Sequence, residues 1–110
     1  MNGRFIGPSV ALLLAALVAC STGVAQEDGR LLAQGKQLFT DQGCYGCHII
    51  GKFGTPIAQD LSHLGAKYSV ADVAKWLRDP SAQKTTAHMS KLSLTEAEVR
   101  ALAAYLGSLR

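Results

Sequence analysis

Two cysteines and a histidine stand close together in the sequence Cys44-Tyr45-Gly46-Cys47-His48. This C-x-x-C-H pattern is the attachment sequence of c-type haem, in which the thiols bond covalently to the porphyrin and the histidine binds the iron. The spacing has a physical reason, because two intervening residues place both sulfurs on one side of a short turn, with the imidazole directly after them. The pattern therefore predicts one covalent haem c, attached through Cys44 and Cys47, with His48 as an iron ligand.

Other chemistries also use a C-x-x-C pair, notably thiol–disulfide exchange and zinc binding. A redox disulfide of the thioredoxin type needs a βαβ context, and no strand-rich pattern surrounds these cysteines. A four-ligand zinc site needs a second ligand cluster, whereas the remaining histidines, His63 and His88, are far apart and unpaired. We favour haem attachment, and a zinc-binding interaction module is an alternative that would show metal without a haem spectrum.

The N-terminal residues 1–20 have the composition of an export signal. Arg4 provides one positive charge, and the residues after it are almost wholly apolar up to Cys20. This stretch is short for a transmembrane helix, which needs about 20 apolar residues, and it suits a secretory signal better. We expect the protein to be exported to the periplasmic side of a membrane.

The apolar stretch closes with the letters L-V-A-C, ending at Cys20, which resemble a bacterial lipobox. In that interpretation Cys20 is lipidated and becomes the first mature residue, and its acyl chains anchor the protein to a membrane. The small and polar residues 21–29 then form a flexible tether, and residues 30–110 form the folded domain. The alternative is cleavage after Ala25 by an ordinary signal peptidase, which would leave a soluble periplasmic protein.

The cysteine count and the net charge restrict which disulfides and which partners the chain can have. The chain has three cysteines, so none remains for a structural disulfide once Cys44 and Cys47 hold haem and Cys20 is lipidated or removed. The formal net charge is only +3, with no basic tract and no interleaved aromatic pattern. We therefore expect no nucleic-acid partner.

Hydrophobic spacing predicts a first helix over about residues 30–41. Gly43 follows it, and glycine is common just beyond a helix C-terminus. Residues 49–68 contain several glycines and a proline, which is typical of a loop. A short helical turn is expected within it, near 60–64.

Two further helices are predicted after that loop. Ser69 is a favoured N-cap residue for the second helix, and Asp79-Pro80 marks its end. Thr95 opens a capping box, T-E-A-E, at the start of the last helix. One face of the last helix is apolar, and it carries Val99, Leu102, Ala103, Leu106 and Leu109.

The iron of such a haem needs a second axial ligand, and few residues qualify. Met89 is the only methionine besides Met1, and it lies in the non-periodic stretch after the second helix. A thioether is a soft ligand that raises the reduction potential of haem iron. We therefore expect Met89 to bind the iron. His88 and His63 are the rival ligands, although each is more simply explained as a solvated loop residue.

These features resemble the class I monohaem cytochromes c, and the match covers nearly all of the mature chain. Gly35 and Phe39 resemble the family's glycine–aromatic pair in the first helix, and the letters L-A-A-Y-L at 102–106 resemble its last helix. The resemblance implies an all-α, cytochrome c-like fold, with three main helices and irregular loops wrapped around one covalent haem.

The resemblance also implies roles for residues near the haem. The sequence Gly54-Thr55-Pro56 is similar to the family's proline turn. In that turn the carbonyl of Pro56 would accept a hydrogen bond from the second ring nitrogen of His48, which orients the imidazole and makes it a better ligand.

Two further residues complete the comparison with the family. They are Trp76 of the predicted second helix and Ser90 of the stretch that carries Met89. Trp76 is expected near the haem edge, where an aromatic donor of the family reaches a propionate, and the alternative is a half-buried core indole. The family often has proline directly after the axial methionine, whereas Ser90 follows Met89 here. The ligand loop is therefore expected to be less rigid.

The expected function is one-electron transfer with His/Met axial ligation, and neither enzymatic activity nor a small-molecule substrate is expected. Six-coordinate iron has no open position, so electrons would pass through an exposed haem edge to redox protein partners. Lysines that could steer such partners are Lys36, Lys52, Lys67 and Lys91. The alternatives are a fixed haem relay subunit of a larger membrane oxidoreductase complex, and a haem enzyme or sensor with an open sixth position.

Overall fold

The computed structural model describes the backbone of Gly3 and of residues 8–110, and side chains from residue 23 onward. The chain divides into two compact units, Met1–Arg30 and Leu31–Arg110. The predicted signal segment and the lipidation site at Cys20 lie outside the described side chains, so both stay predictions. In the part of the chain that the structure describes, no helix is both long and apolar enough to cross a bilayer.

Helices dominate the described residues, which confirms the predicted all-α class. The α-helices are α1 (Pro8–Asp41), α2 (Val70–Arg78), α3 (Pro80–Gln83) and α4 (Glu96–Ser108). The strands β1 (Ile49–Ile50) and β2 (Phe53–Gly54) form a short antiparallel hairpin, and single turns of 3-10 helix cover Cys44–Gly46 and Leu64–Ala66. The hairpin lies within the predicted loop, and its two-residue strands are too short to show an alternating pattern in the sequence.

Helix α1 ends at Asp41, as predicted, but it does not begin where the sequence predicts. Residues 21–29 are helical, whereas their small and polar composition predicted a flexible tether. No proline interrupts this segment, and its central letters V-A-Q-E include good helix formers, so the helix runs through it.

Side-chain caps set the ends of α2 and α3. The Ser69 hydroxyl accepts a hydrogen bond from the Asp72 amide at 3.1 Å, which confirms Ser69 as the N-cap of α2. The Asp79 carboxylate accepts from the Ala82 amide at 3.3 Å, and Pro80 is the first residue of α3. The predicted stop of α2 is therefore also the start of a further short helix.

Helix α4 begins with the predicted capping box. The Thr95 hydroxyl accepts from the Glu98 amide, and the Glu98 carboxylate accepts from the Thr95 amide, both at 3.2 Å. Its apolar face packs into the core together with residues of α1, α2 and the loop before α2. The buried cluster consists of Phe39, Leu61, Leu64, Val73, Ala74, Leu77, Val99, Leu102, Ala103, Tyr105 and Leu106.

Gly35 lies where α1 and α4 pass each other at close range. A Cβ atom placed on Gly35 would collide with the carbonyl oxygen of Ala101 and would lie 2.6 Å from Cβ of Tyr105. Glycine is therefore required at this crossing, since any larger residue would push the two helices apart.

We expect Gly35→Ala to lower the free energy of unfolding by about 1–3 kcal/mol, because overpacking a close contact costs roughly that much. Gly29→Ala is the matched control in the same helix, since a methyl group there meets nothing within 4 Å. Alanine at that position gains helix propensity, up to about 1 kcal/mol. Guanidinium unfolding followed by circular dichroism measures both variants, and equal stability of the two would contradict the close crossing.

Candidate haem site

The two cysteines and the histidine of the C-x-x-C-H sequence lie in one turn, residues 44–48, which we call the attachment turn. It begins after Gly43, whose φ of +73° lies in the left-handed region that glycine adopts most easily. The Cys44 carbonyl accepts hydrogen bonds from the amides of Cys47, at 3.2 Å, and His48, at 3.0 Å. The predicted spacing therefore forms a closed turn that places the imidazole directly after the second thiol.

Both cysteines of the attachment turn are free thiols. Cys44 is half-buried and packs against the core, whereas Cys47 is exposed. Burial raises the pKa of the Cys44 thiol, and a backbone hydrogen bond opposes that shift. Neither sulfur is used by a disulfide, so both are available for thioether bonds.

A backbone carbonyl determines which nitrogen of His48 is available to a metal. Nδ1 of His48 lies 2.7 Å from the carbonyl oxygen of Gln59. A carbonyl oxygen can only accept, so Nδ1 carries the proton and donates, and Nε2 keeps its lone pair for a metal. This is the arrangement that orients a ligating imidazole and increases its basicity.

The acceptor of this bond differs from the one implied by the family resemblance, which was the carbonyl of Pro56. The amides of Ile57 and Ala58 both donate to the Cys47 carbonyl, at 3.2 and 2.7 Å. The chain beyond Pro56 is thus folded back onto the attachment turn, and Gln59 is the residue whose carbonyl reaches the imidazole. No local sequence signal distinguishes one carbonyl from another, so only the path of the loop could identify Gln59.

Two contacts with the short hairpin fix that loop. The Gly51 amide donates to the Ser62 hydroxyl at 2.8 Å, and the Leu61 amide donates to the Ile49 carbonyl at 2.9 Å. Ser62 in turn donates to the Asp60 carboxylate, from its hydroxyl at 2.6 Å and from its amide at 2.8 Å. These bonds lower the pKa of Asp60, the side-chain hydroxyl contributing most.

Gly54 allows the hairpin to approach the attachment turn. Its φ is +112°, and a Cβ atom placed there would collide with the His48 carbonyl oxygen. The same carbonyl accepts a hydrogen bond from the Thr55 amide at 3.3 Å. The close approach that Gly54 allows therefore lets the Thr55 amide bond to the backbone of His48.

An aromatic cluster joins the attachment turn to the helices. Phe39 of α1 is 1% exposed, and its ring meets Tyr45 edge-on at 4.7 Å and Tyr105 of α4 at 6.3 Å between centroids. Burial raises the pKa of Tyr105, and the neighbouring Tyr45 hydroxyl raises it further. Tyr45 stands between the two cysteines, and its structural role was missed because the pattern C-x-x-C-H leaves that position unspecified.

A second group of predicted residues lies on α2 and in the stretch between α3 and α4. Met89 is half-buried and packs against the same core as Cys44. The indole nitrogen of Trp76 lies 3.3 Å from the Met89 sulfur and donates a hydrogen bond to it. The structure therefore brings Trp76 to Met89, whereas the resemblance implied a role for Trp76 at a propionate.

Two ion pairs lie near the loop that carries Met89. One joins the end of α2 to the start of α4, and the other joins the loop to Asp79, the residue between α2 and α3. Arg78 contacts the Glu96 carboxylate through two nitrogens, at 3.0 Å each to different oxygens, and Lys91 lies 3.8 Å from Asp79. All these side chains are more than a third exposed, so solvent screens both pairs and each contributes little to stability.

The rival ligands are both exposed. His63 lines a shallow depression of about 240 Å³ with Gln59, Asp60, Leu64 and Lys67. His88 is exposed beside Met89, whose side chain is the one that packs inward. Among the described residues, no group of three or more His, Cys, Asp or Glu side chains could hold a metal ion, so the zinc alternative gains no support there.

Comparison with known proteins identifies the family. A family model described as Cytochrome c matches residues 32–110. The chain belongs to the cytochrome c family. This confirms the cytochrome c-like fold and assigns the domain to haem-based electron transfer, since the family binds haem c covalently. The paired free thiols and the oriented imidazole of the attachment turn fit that group.

One curated relative is a much longer protein. Cytochrome c oxidase subunit 2 of Alkalihalophilus pseudofirmus is 30% identical over 125 aligned residues, which cover 94% of this chain and 36% of the relative. This cytochrome c chain thus spans about a third of that protein's length.

We expect Gly54→Ala to reduce haem incorporation and to lower the free energy of unfolding by about 1–3 kcal/mol, because the methyl group meets the His48 carbonyl. Gly51→Ala is the matched control, since Gly51 also has a positive φ, +63°, but open space around it. Haem absorbance per protein and guanidinium unfolding measure the two effects. If both variants lose haem incorporation and stability to the same extent, backbone strain alone explains the loss and the close approach is not important.

The pKa of Asp60 provides a test of the bonds that fix the Gln59 loop. Because this pKa is lower in the folded chain, the stability that Asp60 contributes is present above the unfolded pKa of about 3.9 and is lost as the pH falls through the folded value. Ser62→Ala should raise the pKa of Asp60 and move acid unfolding to higher pH. Carboxyl-carbon NMR titration measures the shift, and an unchanged pKa would contradict the contact.

Proposed function

We propose that this cytochrome c transfers single electrons through one haem attached at Cys44 and Cys47, with His48 and Met89 as axial ligands. The observation that carries this proposal is the attachment turn, in which two free thiols stand beside an imidazole whose Nδ1 is committed to the Gln59 carbonyl. Haem c would supply the one-electron couple, and the chain supplies both ligands and an apolar cover.

The ligand set favours a carrier over an enzyme. The bond to Gln59 holds the His48 ring in one orientation, so it stays bound in both redox states. Met89 adds a soft donor, which favours ferrous iron. With both axial positions taken by side chains, no position is left for a substrate, and little rearrangement accompanies the change of charge.

The partners of the carrier would be redox proteins on the periplasmic side of a membrane, with lipid at Cys20 as the anchor. Support for the partners comes from exposed lysines, namely Lys36, Lys52, Lys67 and Lys91, which would attract an acidic surface. Support for export and lipidation comes only from the N-terminal sequence. Intact mass of the mature protein reports attached haem and attached lipid separately, and a species cleaved after Ala25 would argue against the anchor.

A second candidate function is a fixed relay within a membrane oxidoreductase. The likeness to part of a protein named cytochrome c oxidase subunit 2 favours it. Copurification of the chain with a membrane complex, in stoichiometric amounts and after a salt wash, would favour the relay. Recovery as a separate protein that reduces or oxidises a soluble partner would favour the free carrier.

The axial ligand is tested by paired substitutions at neighbouring positions. We expect Met89→Ala to abolish the long-wavelength absorption band of methionine-ligated ferric haem and to lower the reduction potential, because the soft ligand is lost. His88→Ala is the matched control and should keep both properties, since His88 is exposed. If the unsubstituted protein lacks this band and only His88→Ala changes its haem spectrum, His88 replaces Met89 as the ligand.

The proposal as a whole depends on covalent attachment. The mature protein should keep its haem in acidified organic solvent, and Cys44→Ser with Cys47→Ser should release it. A colourless mature protein, or one whose pigment is extracted, would overturn the proposed function.

A further inference from the structure

Ser62 joins two parts of the chain that meet beside the attachment turn. Its hydroxyl accepts a hydrogen bond from the Gly51 amide at 2.8 Å and donates one to the Asp60 carboxylate at 2.6 Å. Its amide donates to the same carboxylate oxygen at 2.8 Å. Bonds to an ionised acceptor are stronger than bonds between neutral groups. Ser62 therefore connects the turn of the hairpin to the residue that directly follows Gln59.

The direction of the Gln59 carbonyl depends on the conformation of Asp60. This carbonyl belongs to the planar peptide unit that joins Gln59 to Asp60, so rotation about the Asp60 backbone turns it. Gln59 is exposed, and core packing does not hold it. Beyond Asp60 the chain is anchored, because Leu61 is 7% exposed and its amide donates to the Ile49 carbonyl at 2.9 Å. The two bonds from Ser62 then restrain Asp60, and with it the peptide unit that carries the carbonyl.

The same two residue types occur at the same spacing in Asp79 and Ser81, which provides a comparison within the chain. The Ser81 hydroxyl donates to the Asp79 carboxylate at 2.8 Å, and that carboxylate caps α3. The pair at 60 and 62 instead reaches the hairpin on one side and the acceptor of His48 on the other. The two pairs thus share their local chemistry and differ in what they connect.

We propose that Ser62 and Asp60 are positioning residues that aim the Gln59 carbonyl at Nδ1 of His48 and thereby lower the reduction potential of the haem. This inference rests on the proposed ligation of iron by His48. A well-aimed acceptor draws the Nδ1 proton toward itself, so the imidazole becomes a better donor through Nε2. A better donor stabilises ferric iron more than ferrous iron. Weakening one neutral hydrogen bond changes such an equilibrium by up to about tenfold, which is about 59 mV for a one-electron couple.

The test separates the geometry of this pair from its charge. Ser62→Ala removes the hydroxyl, and Ser62→Thr keeps it. Asp60→Asn keeps an oxygen that can accept both bonds but removes the negative charge, which would act on the haem through space without help from Ser62. Ser81→Ala is the matched control, since it removes the equivalent hydroxyl far along the chain from His48. The reduction potential, and the NMR shift and solvent-exchange rate of the His48 Nδ1 proton in the ferrous state, are measured for each haem-loaded protein.

In Ser62→Ala we expect a higher potential, by up to a tenfold change in the redox equilibrium, together with a shifted and faster-exchanging Nδ1 proton. Ser62→Thr should restore both properties. Asp60→Asn and Ser81→Ala should keep the native Nδ1 resonance, because the carbonyl stays aimed in both.

A native potential and a native Nδ1 resonance in Ser62→Ala would overturn the inference. An equal rise in potential in Ser62→Ala and Asp60→Asn, with the Nδ1 resonance unchanged in both, would also overturn it, because the carboxylate would then act through its charge alone. If Ser62→Ala does not fold, Asp60→Ala removes the acceptor of the same bonds and is judged by the same outcomes. An unsubstituted protein in which the haem does not shift the His48 ring resonances would instead overturn the proposed ligation.

Discussion

The hydrogen bond from Nδ1 of His48 to the Gln59 carbonyl is the interaction on which the site depends. It assigns the proton to one ring nitrogen and leaves the other for iron. The partners of this bond are eleven positions apart in the sequence, so its geometry has to be imposed by the chain that returns to the attachment turn. That chain is held by amides on the Cys47 carbonyl and by the contact between Gly51 and Ser62.

Close backbone approach is the second requirement of this fold, and two of the glycines that allow it, Gly54 and Gly35, lie near the site. At Gly54 the hairpin lies directly against the carbonyl of His48, and at Gly35 helix α1 lies directly against α4. The first approach fixes the backbone of His48, whereas the second brings Phe39 to Tyr45 and Tyr105. Both approaches connect the attachment turn to the hydrophobic core. A domain of this size needs such connections because it can bury only a thin core of its own.

The two halves of the proposed ligand set are supported in different ways. His48 is surrounded by backbone hydrogen bonds, which hold their geometry within narrow limits. Met89 is held by a side-chain donor on α2, and Lys91 of the same loop forms an exposed ion pair with Asp79 that solvent weakens. The Met89 side chain thus has fewer hydrogen bonds to hold it than His48 has.

Local chemistry let the sequence predict the attachment turn, the end of α1, the caps at Ser69 and Thr95, and the apolar face of α4, since each depends on residues within a few positions of one another. The helix through residues 21–29 was missed because composition there suits both a tether and a helix. The role of Gln59 as the acceptor for His48, and the pairing of Trp76 with Met89, were decided only by the tertiary structure. Every residue carries a carbonyl, and an indole can donate to many acceptors, so the identity of each partner depends on how the loops are folded onto the core.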